Sequence, residues 1–158
     1  MTKWPPVYVD DSQVDDSHVA LEQAVMDLLL AGDDPVLDAL RDQYRLSRIG
    51  KRMFSGVGFL TDFVVPRDVP AVNAKSLFFL SDVRADLNNV QGAAGFHAQV
   101  KNGRLKLLEG FTFDDPWPSA LVDFKVYYRY PPAVIKKHPN HSPSERLMDY
   151  VREQWQKT

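Results

Sequence analysis

One glutamate stands out among the residues whose type and position could support chemistry. Glu109 lies in residues 95–118, GFHAQVKNGRLKLLEGFTFDDPWP, where Asn102-Gly103 is typical of a type I′ turn between two hairpin strands. Counting outward from this turn places Glu109 opposite Phe96, as the only charge on an apolar face. A carboxylate buried there without a partner would have a raised pKa and could act as a general acid or base.

Two structural explanations for Glu109 remain open. An ion pair with Arg84 or Arg129 would make the carboxylate part of the architecture, and we give this explanation more weight than catalysis. A β-bulge around Glu109-Gly110 would instead turn the side chain outward, because glycine within a strand often marks a bulge.

A second group of candidate binding residues lies in an acidic turn. Asp114 and Asp115 precede Pro116-Trp117-Pro118, and the prolines interrupt any strand there. With Asp82 and Asp86 these carboxylates could gather at one edge of a sheet to hold a hard cation, but aspartates beside proline are expected in turns for local reasons. We therefore predict no metal at this turn, and we name Asp114, Asp115 and Trp117 as candidate residues for binding a partner.

The histidines give weak support for a metal site. His138 and His141 stand three residues apart with two lysines nearby, and the chain has neither an HExxH motif nor a cysteine. His97 belongs to the outward face of the hairpin, where it could contact a partner. We predict no metal and no cofactor.

The outward face of the predicted sheet mixes aromatic and charged residues, as binding surfaces do. Its expected members are Leu60, Phe78, Leu80, Leu108 and Tyr127 together with Asp62, Asp82, Arg84, Lys106 and Arg129. An additional helix packed on the apolar members would explain the same pattern equally well.

Composition bounds the class of protein. The 158 residues are 25% charged and 44% apolar, which is ordinary for one globular domain, and we expect a single domain over residues 1–158. The net charge of −2 argues against a nucleic-acid partner, and no apolar run approaches the length of a membrane span. The absence of cysteine and the lack of a signal peptide pattern favour a cytoplasmic protein.

Hydrophobic periodicity predicts the elements that position these residues. Residues 1–16 are rich in proline and aspartate and are expected to form an irregular arm. Two amphipathic helices follow, the first from Asp16 or Ser17 to Gly32 and the second from Asp34-Pro35, and a last helix is expected from Ser142-Pro143-Ser144-Glu145. About five strands lie between them, joined mostly by short connections. The predicted class is therefore α+β, with an antiparallel sheet packed against the helices.

The segments RMFSGVGFLTDFVVP and LEGFTFDDPWP resemble those of a family of small uncharacterised bacterial proteins. That family shares a G-V-G-F-x-T-x-F strand and an L-E-G-[FY]-[TS]-[FY] segment followed by D-x-P-W-P, and the similarity covers residues 34–118. Proteins of this type often accompany bacterial toxin genes as immunity partners, so the resemblance implies that class.

Our leading hypothesis from the sequence is a non-catalytic protein-binding module. In its sharpest form this is an immunity protein whose charged sheet face or acidic turn occludes a basic toxin domain, with complementary charge assisting association. The alternative is a small hydrolase that uses Glu109 with an aspartate or a histidine in a cleft at the sheet edge. A homodimer joined through the exposed sheet is the third hypothesis.

Overall fold

The chain folds into an antiparallel sheet with its main helices on one side, an α+β arrangement. The computed structural model describes residues 7–9 and 14–157. The strands are β1 (Val7–Val9), β2 (Arg48–Ser55), β3 (Gly58–Val64), β4 (Leu77–Leu80), β5 (Val83–Leu87), β6 (Ala94–Lys101), β7 (Arg104–Phe111) and β8 (Phe124–Tyr128). The helices are α1 (Asp16–Leu29), α2 (Pro35–Leu46), α3 (Pro132–Lys136) and α4 (Met148–Arg152).

The strand order is β1-β2-β3-β7-β6-β5-β8, and β4 pairs with β6 beside β5. The described residues thus contain eight strands where about five were predicted. Strand β2 was missed because the sequence RIGKRMFS does not alternate cleanly, and its pairing with β3 is interrupted by a register shift between Ile49 and Arg52. The segment at residues 77–87, predicted as one strand or two, is two short strands.

The N-terminal stretch contributes an edge strand. Residues 7–9, within the region predicted to be an irregular arm, pair antiparallel with residues 52–54 of β2. The remainder of the predicted arm up to residue 13 lies outside the described residues.

The two predicted N-terminal helices are present; α2 starts as expected, whereas α1 is preceded by Asp15 at the N-cap position and not by the predicted Asp16 or Ser17. The Asp34 carboxylate accepts a hydrogen bond from the Val36 N–H at 2.8 Å, and Pro35 occupies the first turn of α2. Helix α2 is tied to the sheet by the buried Gln43 amide, which donates to the Gly103 carbonyl at 2.9 Å and accepts from the Leu105 N–H at 2.8 Å. The hairpin turn is therefore held by a helix as well as by its own sequence.

The inner face of the sheet forms the core with α1, α2 and α4. Its members share near-complete burial and come from all the central strands: Phe59, Thr61, Phe63, Phe78, Leu80, Val83, Ala85, Phe96, Ala98, Val100, Leu105, Leu108 and Tyr128. Phe78, Leu80, Leu108 and Asp82 were expected on the outward face, and this prediction was wrong. The break at Ser81-Asp82 and a bulge in β7 shift the alternation, so apolar residues on either side of each irregularity reach the same face.

The hairpin has the predicted turn but not the predicted register. Asn102 and Gly103 both have positive φ, 51° and 76°, as a type I′ turn requires. Val100 pairs with Leu105, whereas Gln99 pairs with Leu107, so Lys106 is an extra residue in β7. From this bulge outward the parity of β7 is reversed.

The C-terminal region differs most from the prediction. Instead of a helix from Ser142 there is a turn, and α4 spans only Met148–Arg152, while the unpredicted α3 precedes it. The capping pattern at residues 142–145 loses to tertiary contacts: the Tyr130 hydroxyl accepts a hydrogen bond from the Leu147 N–H at 2.9 Å, and Leu147 is extended, with ψ 91°. These contacts require a chain path that a continuous helix does not provide.

Candidate functional site

The helices α1, α2 and α4 leave the opposite side of the sheet, here called the outer face, uncovered. Its side chains are half-buried or exposed and follow from the strand registers: Leu60, Asp62, Phe79, Arg84, His97, Gln99, Leu107, Glu109, Phe111 and Tyr127. Phe79 is 39% exposed, and Phe113, which follows β7 at the rim of this face, is 64% exposed. Exposed apolar side chains that are grouped on one face are typical of interaction sites.

A groove of about 380 Å³ crosses the outer face and is called the outer groove here. Its lining includes Met53, Leu60, His97, Glu109, Phe111 and Phe113. The bulge at Lys106 produces this arrangement, because it turns Glu109 away from the core and places it directly opposite His97 on β6 and Leu60 on β3. The prediction that Glu109 faces Phe96 on the buried face is thus wrong. The alternative, in which a β-bulge turns Glu109 outward, gives the correct face for this side chain. The bulge lies at Lys106, three residues earlier than expected.

Glu109 is not the structural ion pair that the sequence favoured. Within the described residues it forms no ion pair within 4.0 Å, with Arg84, Arg129 or any other cation. It lies half-buried in the outer groove beside His97, so a carboxylate and an imidazole share one depression of the surface.

His97 is held in place by aromatic rings. Its ring stacks on Phe111 at a centroid distance of 4.9 Å and meets the edge of Phe79 at 6.1 Å. Burial lowers the pKa of His97 and the charge of Arg84 adds to this, while Glu109 opposes both. His97 is therefore predominantly neutral at pH 7, and its Nδ1 is buried with no hydrogen-bond partner among the described residues.

Phe111 also explains a glycine at this site. A Cβ added to Gly95, the residue opposite Phe111 in the sheet, would lie 2.7 Å from the Phe111 ring. On the inner face the Phe59 ring covers Gly110 in the same way, at 2.2 Å from an added Cβ. Two aromatic rings therefore lie across two glycines, which fixes the floor of the outer groove.

A second depression, called the arginine cleft here, adjoins the outer groove at Phe113. It has a volume of about 470 Å³ and includes Arg84, Arg129, Phe113 and Tyr150 in its lining. The Arg84 guanidinium donates through Nη1 to the carbonyls of Ser81 and Val83 at 3.0 and 3.1 Å. The structure thus brings together Arg84 and Arg129, two of the residues singled out from the sequence.

The acidic turn is mainly structural. The Asp115 carboxylate accepts a hydrogen bond from the Gln91 N–H at 2.7 Å, and its carbonyl accepts from the Thr112 hydroxyl. The Trp117 ring packs edge-on against Phe59 at a centroid distance of 5.3 Å, and the Trp117 backbone N–H donates to the Gly56 carbonyl. The Asp114 side chain is exposed, and it forms no hydrogen bond or ion pair with the described residues. The turn therefore closes one end of the sheet and does not join the outer groove.

A buried polar cluster beneath the sheet was missed by sequence reasoning. The Glu22 carboxylate receives hydrogen bonds from Arg52 at 2.9 and 3.0 Å, from the Thr61 hydroxyl at 2.6 Å and lies 2.7 Å from His18 Nε2. Burial alone would raise the pKa of Glu22, but the hydrogen bonds from His18 and Arg52 outweigh it and lower the pKa to about 2. The signal was available, since His18, Glu22 and Val25 share one helical face.

Asp82 belongs to another buried cluster. Arg146 contacts both oxygens of its carboxylate at 2.8 and 3.0 Å, and the Tyr130 hydroxyl donates to it at 2.8 Å. Nη1 of Arg146 donates hydrogen bonds to the carbonyls of Leu29 and Ala31 at the end of α1. This network joins the C-terminal segment to the first helix, and it engages both carboxylate oxygens of Asp82.

Over residues 7–9 and 14–157, no three histidine or carboxylate side chains gather in a way that would hold a metal ion. His141 Nε2 lies 2.6 Å from the Glu145 carbonyl, and its ring rests against Tyr130. None of the helices in these same ranges has the length and apolar character needed to cross a bilayer. Comparison of the chain with protein-family models, with curated proteins and with solved structures gives no match.

Proposed function

We propose that this protein is a non-catalytic protein-binding module that engages its partner through the outer face of the sheet. The observation that carries the proposal is the exposure of Phe79 and Phe113 on a sheet face that the described helices leave open. Aromatic side chains beside arginines are the residue types that supply most of the affinity at protein interfaces. The outer groove and the arginine cleft provide depressions into which partner side chains would insert.

The end of the outer face that carries Arg84 and Arg129 favours an acidic patch on the partner, whereas the basic partner expected from the sequence would face Glu109 in the outer groove. That expectation rested on the charged sheet face or the acidic turn, and in the turn Asp115 is engaged by the Gln91 N–H. On the outer face, Arg84 and Arg129 have no carboxylate within 4.0 Å among the described residues. Uncompensated positive charge at the rim would speed association with a negatively charged protein.

The test is capture from a lysate of the native host with matched surface variants. The outer-face variant carries Phe79→Ser and Phe113→Ser, and the control carries Val19→Ser and Leu46→Ser, which remove two comparably exposed apolar side chains from α1 and α2. We expect one protein to be retained by the wild type and the control and to be lost with the outer-face variant, because truncation of central aromatic residues weakens interfaces by about 2 kcal/mol or more.

Purified partner and calorimetry then give the affinities directly. Retention of the same protein by all three forms, or its loss from the control as well, would contradict docking on this face. Circular dichroism of both variants establishes that they are folded before the comparison is made.

The immunity class is the finer form of this proposal, and it is supported by the family resemblance alone. Co-expression with the product of an adjacent gene tests it. Growth should be restored by the wild type and by the Val19→Ser/Leu46→Ser control, and not by the outer-face variant. Growth inhibition that persists with the wild type, or no inhibition by any adjacent product, argues against the immunity role while leaving partner binding intact.

A hydrolase is the second candidate, favoured by one specific observation. His97, predominantly neutral at pH 7, and Glu109 face each other in the outer groove, where a neutral imidazole beside a carboxylate has the chemistry of a general base. Assays with p-nitrophenyl esters and phosphates test this candidate. Hydrolysis that disappears in both His97→Asn and Glu109→Gln would favour the enzyme, whereas activity absent from the wild type or unchanged in the variants favours the binding module.

A further inference from the structure

The arginine cleft has positive charge that the described residues do not balance. Arg84 lies half-buried on β5, and Arg129 follows β8, whose Tyr127 pairs with Arg84. The Arg129 backbone N–H donates to the Asp82 backbone carbonyl. Its guanidinium forms no hydrogen bond with the described residues. Arg84 uses only Nη1 for the carbonyls of Ser81 and Val83, so Nη2 and Nε remain available.

The nearby carboxylates are already engaged. Asp82 also lines the cleft, but Arg146 contacts both of its oxygens and neutralises its charge. Asp86, two residues beyond Arg84, accepts a hydrogen bond from the Tyr127 hydroxyl at 3.0 Å. Two guanidinium charges therefore face one solvent-filled space without a carboxylate in ion-pair contact, in the part of the chain that the structure describes.

The electrostatics of Arg84 agree with this geometry. Burial lowers its pKa and the positive charge of Arg129 lowers it further, while Tyr127, Asp82 and Tyr150 oppose them only in part, so that the net direction is downward. Since arginine remains charged at physiological pH, this mutual repulsion persists in the free protein. A bound anion would relieve it, and the free protein would gain most from a ligand that contacts both guanidinium groups.

We infer that the arginine cleft is a binding site for an oxyanion, a carboxylate or a phosphate group, held between Arg84 and Arg129. The two carbonyls that fix Nη1 of Arg84 orient its free edge in advance, which lowers the entropy lost on binding. The Tyr150 ring and Phe113 form apolar walls beside the arginines, so the anionic group would belong to a ligand with an apolar portion. The volume of about 470 Å³ exceeds that of a single ion and accommodates such a ligand.

The inference goes beyond the proposed function, because an oxyanion can bind here with no partner protein present. Two sources of the same chemistry are to be separated: a phosphorylated small molecule and an acidic side chain of another protein. Inorganic phosphate and acetyl-Asp-amide are the corresponding probes. Each is titrated at constant ionic strength into ¹⁵N-labelled full-length protein while the arginine Nε–Hε and backbone signals are recorded.

Saturable shifts at Arg84, Arg129 and Tyr150 are the expected result. The Arg129→Met variant should weaken binding about tenfold or more, since it removes one of two charged hydrogen-bond donors. This variant is preferred to Arg84→Met because Arg129 uses no recorded side-chain contact in the described structure, and its loss should leave the fold intact. The matched control is Arg45→Met on α2, an exposed arginine whose loss changes the net charge equally.

Tighter binding of phosphate assigns the source to a phosphorylated ligand, and tighter binding of acetyl-Asp-amide assigns it to an acidic protein side chain. Shifts that do not saturate with either probe, or an equal loss of affinity in Arg45→Met, would overturn the site. Phe113 borders both depressions, but the capture experiment changes no arginine and the titration changes no phenylalanine, so the failure of one proposal can be distinguished from the failure of the other.

Discussion

At the scale of single residues, the same two side-chain types have opposite roles on the two faces of the sheet. His18 and Glu22 lie together beneath the sheet in a cluster in which the carboxylate is fully hydrogen-bonded. His97 and Glu109 lie together on the outer face, and Nδ1 of both His18 and His97 lacks a partner among the described residues, so the two pairs differ in the carboxylate: Glu22 is contacted by Arg52 and Thr61, whereas Glu109 forms no ion pair in the described part of the chain. The inner pair stabilises the fold, and the outer pair is available to a ligand.

The pKa of His97 gives a direct test of this environment. Because burial lowers it below 6.5, the unfolded chain binds more protons than the folded one as the pH falls from about 7, and the folded state loses stability in that range. Glu109 favours the charged imidazole, so Glu109→Gln should lower the pKa of His97 further. NMR titration of the ring protons measures this, with Glu153→Gln as the control; an unchanged or raised pKa in Glu109→Gln would show that the two groups do not interact.

Glu22 predicts a loss of stability of the same sign at lower pH. Its pKa falls from 4.5 in the unfolded chain to about 2 in the folded protein, so its contribution is complete above pH 4.5 and is lost as the pH falls toward 2. Glu22→Gln should destabilise the protein by about 3 kcal/mol or more at pH 7, because it removes the charge that Arg52 contacts in the core. Urea unfolding at pH 7 and pH 3 measures both effects. A smaller destabilisation of the variant at pH 3 than at pH 7 is expected, and an equal one would argue against the ion pair.

At the scale of elements, one inserted residue decides which face carries the candidate site. If Lys106 were paired with Gln99 and β7 continued in the register of the turn with no bulge, Glu109 would lie opposite Phe96 on the inner face. The bulge has no clear sequence signal, since lysine is neither a turn former nor conformationally special, and this is why the predicted register was wrong. By contrast, Asn102-Gly103 predicted the turn correctly because its positive φ values demand those residue types.

The importance of the bulge can be tested by deleting Lys106. The deletion removes the unpaired residue and leaves Leu108 opposite Ala98 and Glu109 opposite His97, so the variant should fold with the same residues on each face and change the free energy of unfolding by less than about 2 kcal/mol. Lys106→Ala is the matched control, expected to change stability by less than about 0.5 kcal/mol because the side chain is exposed. A deletion variant that does not fold, or that is destabilised far more than this in urea, would mean that Lys106 is not the unpaired residue of the strand.

At the scale of the whole molecule, the sequence supports the class of fold better than the location of the site. Alternation along β8 and the capping of α2 correctly predicted an antiparallel sheet with helices, because these signals are local. The clusters around Glu22 and Asp82 and the short α4 depend on contacts such as Arg146 with Asp82, 64 residues apart, and no local pattern predicts them. The sequence singled out four of the site residues by type alone. Only the folded sheet brings His97 and Glu109 together in the outer groove and Arg84 and Arg129 together in the arginine cleft.

At this scale the proposed function assigns stability to the covered face of the sheet and recognition of a partner to the outer face. The most direct measurement of that claim is the calorimetric affinity of the purified partner for the Phe79→Ser/Phe113→Ser variant, compared with the Val19→Ser/Leu46→Ser control. We predict a loss of affinity of about 30-fold or more for the first and less than about twofold for the second. Equal affinities for the two variants, or sedimentation of the free protein as a stable dimer joined through the outer face, would contradict it.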